Sequence, residues 1–567
     1  MCHGAQNPIA YYRLIYIYRR FLLASLNIEA ILQEPTIHRR RERLSNMTDG
    51  LGLEDVYGAT IQRIKAQGGY KSRLGMGALM WISYAEVPLR PDELCYALVV
   101  GLGSTDFNAA NIPSITTLVS CCQGLIAVDK EESTARLIHF TLREYFTAHP
   151  DIFSRPHSAI AEICLTYLNS CQVKALSAEV KAVLAASSND LSTFTWDKPF
   201  LKYCSIYWGA HAKKELSDCA KSLALQLFKE YDGHISAALY IGDTWNLSGA
   251  DCDMDSLWSG LHCASDFGIV EIVAALVEMG CYDLNEGDCF GCTALSLAAE
   301  GGQQEVVKIL LGREEVNPDT EDKFGVTPLL YAARRGHEGI VKILLGRDEV
   351  NPDKPGNDGQ KPLSDAARGG HEGIVKMLLE REEISPDEPD NDGRTPLSYA
   401  AKRGHEGVVK ILLGREEVKP DEPDSNCRTP LLYAAEKGRV GVVKILLERG
   451  EVNPHKLDNG GRTPLSYAVG NIYVYMVPDL FEEVVKLLLG REEVKPDEPD
   501  NDGRTPLSWA AEHGYEAVVK ILLGQQEVNP NKPDNRGQTP LMIATYWRRK
   551  GVIALLRSHH AVAHSAT

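Results

Sequence analysis

The C-terminal half of this chain repeats itself. A glycine recurs at Gly291, Gly325, Gly359 and Gly393, gives way to Cys427, and returns at Gly461, Gly503 and Gly537. The step is 34 residues throughout, except between Gly461 and Gly503, where it is 42. A fixed period of this size dictates a solenoid: like units stack side by side, and each buries an apolar face that it could not bury alone.

One unit, GRTPLSYAAKRGHEGVVKILLG from Gly393 to Gly414, shows how. Thr395 is placed to cap a helix, and Pro396 fills the first helical position, where its missing N–H is not needed. Leu397, Ala400 and Ala401 fall on one face, and the small alanines let a neighbouring helix approach. Gly404 ends this helix in a left-handed conformation. A second helix carries Val408, Val409, Ile411, Leu412 and Leu413, apolar over most of its width, so it is buried between units. Asp-Gly at Asp392-Gly393 is a tight-turn signal. Acidic fingers, with Asp390, Asp392, Asp500 and Asp502, are therefore expected to project at the repeat boundaries.

The wording TPLLYAARRGHEGIVKILL from Thr327, TPLSYAAKRGHEGVVKILL from Thr395 and TPLSWAAEHGYEAVVKILL from Thr505 resembles the ankyrin repeat. The resemblance covers Asp253 to the C-terminus and implies nine units, caps included, over 253–567. The first, Asp253 to Asn285, is degenerate and reads as the outer cap. The seventh carries eight extra residues between Val469 and Glu483; Pro478 among them argues against a longer helix and for a loop between the two helices. The last ends in a basic turn and a short polar tail. His337, His371 and His405 recur with the period and are expected to bond backbone between repeats.

The resemblance also implies where a partner binds. On the concave face it places Leu297, Tyr331, Asp365, Tyr399, Tyr433, Tyr467 and Trp509, beside Arg334, Arg335, Arg368, Lys402, Arg403, Glu436, Lys437, Glu512 and His513. The expected protein-binding set is Tyr331, Arg334, Arg335, Tyr399, Lys402, Arg403, Tyr433, Lys437, Tyr467 and Trp509. These are an aromatic ladder and a basic row, the residue types that anchor interfaces.

The net charge of −17 argues against a general affinity for nucleic acid or anionic membranes. Fourteen cysteines are scattered, mostly in apolar helical contexts such as Cys164 and Cys219, which fits buried thiols in a reducing, cytoplasmic setting. The most apolar N-terminal stretch, Ala10 to Leu26, is broken by Arg13, Arg19 and Arg20 and reads neither as a signal peptide nor as an anchor.

From the N-terminus, Tyr11 to Leu32 reads as helix, and His38 to Arg43 as a solvated basic helix face rather than a nuclear signal. Helices are expected over Leu53–Ala66 and Ser72–Tyr84, from Arg90-Pro91, and from Ile112-Pro113. Two short strands follow, Leu125 to Asp129 and Arg136 to Phe140, and then a last helix. Helices followed by a two-stranded wing describe a winged helix over 51–150. A helical connector spans 151–250.

This stretch, with the helix Pro156 to Leu168 and PFLKYCSIYWGAHA from Pro199, resembles the region after the NACHT module in fungal NACHT–ankyrin proteins, and the winged-helix type named after GPI inositol-deacylase. Both belong to the STAND class, relatives of the NOD-like receptors. On that resemblance, residues 1–50 are the helical tail of a missing NACHT region, and the chain is expected to start at or after the end of a nucleotide domain. The family phrase IH-x-x-x-x-E-Y falls on Ile138 to Tyr145 and implies that His139 is a nucleotide-sensing residue, vestigial here or served by a NACHT module in trans.

No chemistry-bearing motif stands against this reading. No Gly-Lys dipeptide occurs, so there is no phosphate-cradling loop; Gly75-Met76-Gly77 and Gly101-Leu102-Gly103 lack its lysine. Cys289-x-x-Cys292 has no matching second pair for zinc. The finger turns lack the end carboxylates of a calcium loop, and GxSxG is absent. A DNA-binding role would need cations on the helix from Pro113 to Cys122, which has none. The sequence thus predicts a mainly helical chain and a non-enzymatic protein–protein recognition scaffold, without cofactor or metal. The alternative is the C-terminal part of a nucleotide-switched STAND ATPase.

Overall fold

A computed structural model describes residues 35–48, 53–100, 112–129, 131–186, 198–229, 234–244, 258–470 and 478–565, with Tyr231. The expected helix over 11–32 and the start of the first repeat lie outside these residues. Two compact units divide the chain, 1–282 and 283–567. Among the described residues no helix is long and apolar enough to cross a membrane.

In the N-terminal unit the basic stretch at His38 lies on the helix Ile37–Thr48, and its described side chains are largely exposed. Helices Leu53–Ala66, Gly69–Tyr84, Pro91–Val99 and Ile115–Cys121 follow. Asp92 and Glu93 sit in the first turn of Pro91–Val99, where the helix dipole favours them. The fourth helix starts later than expected because Ser114 caps it, accepting the Thr117 N–H. Strand β1 (Ile126–Asp129) pairs antiparallel with β2 (Thr134–Leu137), Ile126 opposite Leu137. The second strand was expected at 136–140. It comes earlier because Asp129 accepts the N–H of Glu131 and Ser133 takes a φ of 52°, which closes the turn quickly.

The helices Thr141–Ala148 and Pro156–Leu168 lead into the connector. Its helix Pro199–Lys214 is the hub of this unit: Phe200 and Tyr203 meet Trp81 edge-on at 5.5 and 5.6 Å. Trp208 on the same helix packs against Phe267 at 5.3 Å. Phe267 ends Gly260–Phe267, the first helix of the first repeat, whose second helix is Val270–Met279. That repeat is therefore not an outer cap. It belongs to the N-terminal unit, where Tyr231 and Tyr240 contact Cys263 and Asp266, and Tyr282 donates to the Phe228 carbonyl.

The C-terminal unit is a run of eight helix pairs among the described residues, from Ala294–Glu300/Gln304–Leu311 to Pro540–Tyr546/Lys550–Ser565. The capping logic holds: Thr395 accepts the Ser398 N–H, Pro396 opens the helix, and Gly404 closes it at φ 87°. The pivot Gly393 has φ 81°, and a Cβ there would lie 2.7 Å from the Ser425 nitrogen of the next finger. Cys427 holds the same left-handed geometry at φ 60°, a conformation that L-residues disfavour.

Polar bonds lock neighbour to neighbour. His337, His371 and His405 bond through Nε2 to the carbonyls of Glu300, Arg334 and Arg368 in the preceding unit. Arg415, Arg449 and Arg491 donate to the carbonyls of Leu379, Leu413 and Leu447 at the end of the previous second helix. Those carbonyls would otherwise be orphaned at a helix C-terminus.

Two expectations fail here. Pro478 does not stop a helix: it opens the longer second helix Pro478–Leu489, since proline is well tolerated at the first helical position. The inserted residues 471–477 lie outside the described ones. The polar tail is helical as far as Ser565. Among the cysteines, Cys164 is buried, but Cys171, Cys219 and Cys281 are exposed.

Leu412 is fully buried on the second helix of its unit. Leu412→Ala is expected to destabilise the array by about 2–5 kcal/mol, measured by urea denaturation; a cost below about 0.5 kcal/mol would contradict burial of this helix.

Candidate functional site

The face expected to bind is built outward from the finger turns. In each regular turn one aspartate looks inward. Oδ1 of Asp424 accepts the N–H groups of Asn426 and Arg428, both at 2.8 Å, and its Oδ2 accepts the hydroxyl of Tyr433 at 2.5 Å. The same pairing joins Asp322 to Tyr331, Asp390 to Tyr399, and Asp458 to Tyr467; at Asp500 the partner is the Trp509 indole N–H at 3.0 Å. Tyr331, Tyr399, Tyr433 and Tyr467 are consequently buried. The ladder of tyrosines is internal framework, not a row of contacts offered to a partner.

Asp390 and Asp500, expected to project, are buried for the same reason, while Asp392 and Asp502 do face solvent. Trp509 alone of the aromatic set is half-exposed, with the Arg504 guanidinium 4.0 Å above its ring.

Three units depart from this rule; the last has Ile543 where the tyrosine would be, and the other two are instructive. In one, Gly356 stands where the aspartate would be and Asp365 stands where the tyrosine would be. Asp365 is buried and pairs with Arg334 at 3.0 Å and Arg368 at 2.5 Å. Burial still pushes its carboxyl upward, against the pull of both arginines. Arg334, expected in the binding row, is thus committed to an internal ion pair.

In the other, Asp288 keeps its turn bonds to the N–H groups of Phe290 and Cys292, but Leu297 replaces the tyrosine. Its Oδ2 has no hydrogen-bond partner among the described residues, and burial raises its pKa to about 6.

Beside the outward Asp392 and Asp502 lies a group of cations. Lys402 Nζ sits 5.1 Å from the centre of the Tyr433 ring, and Arg428 lies 6.0 Å from that ring and 5.4 Å from that of Tyr467. Arg394 Nε donates to the Tyr433 hydroxyl at 3.3 Å. Lys437, half-exposed, pairs with Glu436 at 2.9 Å, and Arg403, which follows Lys402 at the end of the helix Pro396–Arg403, is exposed. Burial lowers the Lys402 pKa, and the nearby Arg394, Lys437 and Arg428 add to the fall, with only Glu436 opposing. Cations thus gather about one buried tyrosine, Arg394 pairing with Asp392 at 3.0 Å and Arg428 lying 4.0 Å from Glu436. Arg335 is exposed too but pairs with Glu300 at 2.6 Å.

Arg394 and Arg428 were not among the expected binding residues. The signal was present: an arginine follows the pivot position at 394, 428, 462 and 504.

In the N-terminal unit His139 lies between β2 and the helix Thr141–Ala148. Its Nδ1 accepts the Thr141 N–H at 3.3 Å and lies 2.8 Å from the Thr141 hydroxyl, which the Tyr57 hydroxyl also contacts at 2.8 Å. With Nδ1 accepting, Nε2 carries the ring proton in the neutral form.

The ankyrin-repeat family model matches residues 234–322, 314–390, 382–456, 416–481 and 475–565. The model of the GPI inositol-deacylase winged helix domain matches residues 63–166. No curated protein matches the chain.

Asp288 supplies a test of this framework. Its folded pKa lies above the unfolded value of 3.8, so its contribution to stability is present below that value and lost as pH rises through about 6. Asp288→Asn keeps the Oδ1 acceptor and removes the charge. Its unfolding free energy at pH 7.5 is expected to exceed wild type by on the order of 2 kcal/mol, with the gain vanishing near pH 4. A gain of equal size at both pH values would mean that the carboxylate is not the cause.

Proposed function

The chain belongs to the ankyrin-repeat family, and from that premise we propose that it is a non-enzymatic protein–protein recognition scaffold whose array grips an acidic segment of its partner. The observation that carries this reading is the gathering of Lys402 and Arg428 at the Tyr433 ring and Arg394 at its hydroxyl, with Arg403 exposed beside Lys402 and Lys437 close enough to act on the Lys402 charge. A repeat protein that needed these cations only for solubility would not press one of them into partial burial among its like. An acidic peptide relieves that repulsion on binding, and arginine planes supply forked donors for its carboxylates. The buried tyrosines hold the cations in place and make no direct contact. Free thiols, seven of them buried among the described residues, fit a reducing cytoplasmic setting.

The test uses a fluorescent Glu-rich peptide as probe. Lys402→Glu with Arg403→Glu is expected to weaken its capture by at least about thirtyfold, or about 2 kcal/mol, and the wild-type affinity should fall as salt rises. Both changes are at the helix end, so the melting temperature should hold. Equal capture by the double variant and wild type would remove the site from this face.

A second reading concerns the N-terminal unit. A winged helix of this type ahead of ankyrin repeats is the order seen in STAND receptors, and the matched segment 63–166 contains His139 with its Nε2 proton uncommitted to the Thr141 turn. On this reading the chain completes a nucleotide switch with a NACHT module in trans or upstream, and His139 reaches the nucleotide phosphate. The chain alone is expected to bind no ADP at micromolar concentration. Binding by the chain alone, lost on His139→Ala, would overturn that expectation.

A further inference from the structure

Three side chains far apart in sequence meet in the N-terminal unit. Glu86 follows the helix Gly69–Tyr84, His157 is in the first turn of Pro156–Leu168, and His211 is in the last turn of Pro199–Lys214. Their ligating atoms all lie within 4.8 Å of one another. His157 Nδ1 is 2.8 Å from His211 Nδ1, which is 3.9 Å from Glu86 Oε1. We propose that Glu86, His157 and His211 form a Zn²⁺ site with a fourth position open to solvent.

Four features of the geometry lead there. First, two imidazole nitrogens aim at each other. Without a metal, one must carry a proton toward the other; a cation between them uses both lone pairs instead. Tetrahedral zinc with bonds of about 2.0–2.2 Å sets its donors roughly 3.3 Å apart, and the separations of 2.8 and 3.9 Å bracket that value.

Second, the far side of the buried imidazole is already held. His211 is fully buried, and its Nε2 lies 2.9 Å from the Tyr203 hydroxyl, which also accepts the Glu86 backbone N–H at 3.1 Å. One phenol thus fixes the ring of one ligand and the backbone of another, the outer-shell support by which proteins orient metal ligands.

Third, the group now occupying Glu86 can leave. Lys214 Nζ pairs with Glu86 Oε1 at 2.5 Å, yet its side chain is half-exposed, so it can swing to water and expel its charge as the cation enters.

Fourth, the cluster borders a cavity of about 290 Å³ lined by Tyr84, Glu86, Arg143, Thr147, His157 and Lys214. A water in the fourth position has room there. Two imidazoles and one carboxylate suit zinc, whereas calcium and magnesium prefer an all-oxygen shell. The ion would join the segment after the third described helix to two connector helices.

The experiment uses the full chain, stripped with chelator and kept reduced. Calorimetric titration with Zn²⁺ is expected to find this site, and Co²⁺ substitution should give visible ligand-field bands without a thiolate charge-transfer band. His157→Ala and Glu86→Gln should each weaken zinc by at least about tenfold, the lower bound that loss of even an outer partner costs a metal site. Lys214→Ala should tighten it, because a competing charge is gone. His211 is left intact, since its burial makes a folding defect the expected result of changing it. Circular dichroism confirms that the three variants fold. Zinc binding unaffected by His157→Ala and Glu86→Gln, a cobalt spectrum dominated by thiolate, or no binding at micromolar zinc would each overturn the proposal.

Discussion

A carboxylate turned inward organises the array. The finger loops reverse direction around a left-handed pivot, which leaves two backbone N–H groups pointing into the turn. The aspartate Oδ1 takes both, and a buried charge-bearing oxygen remains. A donor delivered from the following helix satisfies it in four units, the tyrosine nine residues on. Where the donor is missing at Asp288, opposite Leu297, one oxygen has no partner among the described residues and the pKa is raised. Where both partners change together, at Gly356 and Asp365, the array recruits Arg334 and Arg368 instead. Turn, helix and interface are therefore not separable contributions. Removing a buried donor costs the desolvation of the acceptor it leaves behind, about 1–3 kcal/mol.

That same bond decides which side chains remain for recognition. With the hydroxyls drawn inward, the tyrosine rings become floors on which cations rest, and the cations become the surface. Lys402, Arg428 and Arg462 lie over Tyr433 or Tyr467, and Arg504 lies over Trp509. Cation–π contact is favourable at such partly buried sites and restricts the long side chains. A surface so ordered loses less entropy when a partner binds.

The period, the helix pair, its caps and the inter-repeat histidines were legible from the sequence, because each follows from local chemistry repeated at fixed spacing. The winged helix was legible in its helices and less so in its second strand, whose start is set by the Asp129 turn. The orientation of the tyrosines was not read, although the sequence held the clue. Each tyrosine at this position has an aspartate nine residues before it, and at Asp365 both change at once. Treating the first-helix positions singly hid that coupling. The cluster of Glu86, His157 and His211 had no such clue: its members come from three elements with no shared motif, and only the fold brings them together.

The unit with Asp365 also bears on how an array of near-copies finds its order. Units that resemble one another this closely could pair with the wrong neighbour while the chain is folding, since most interfaces are interchangeable. The interface carrying Arg334, Asp365 and Arg368 is not. Placed after any other unit, Asp365 would lose the Arg334 that reaches it from the preceding repeat, since the same position elsewhere holds Glu300, Lys402, Glu436, Gly470, Glu512 or Tyr546, and an incompletely paired buried charge costs several kcal/mol. The irregular repeat thus works as an address within the array: it marks one junction as unique, and the correct sequence of units is counted from it in both directions.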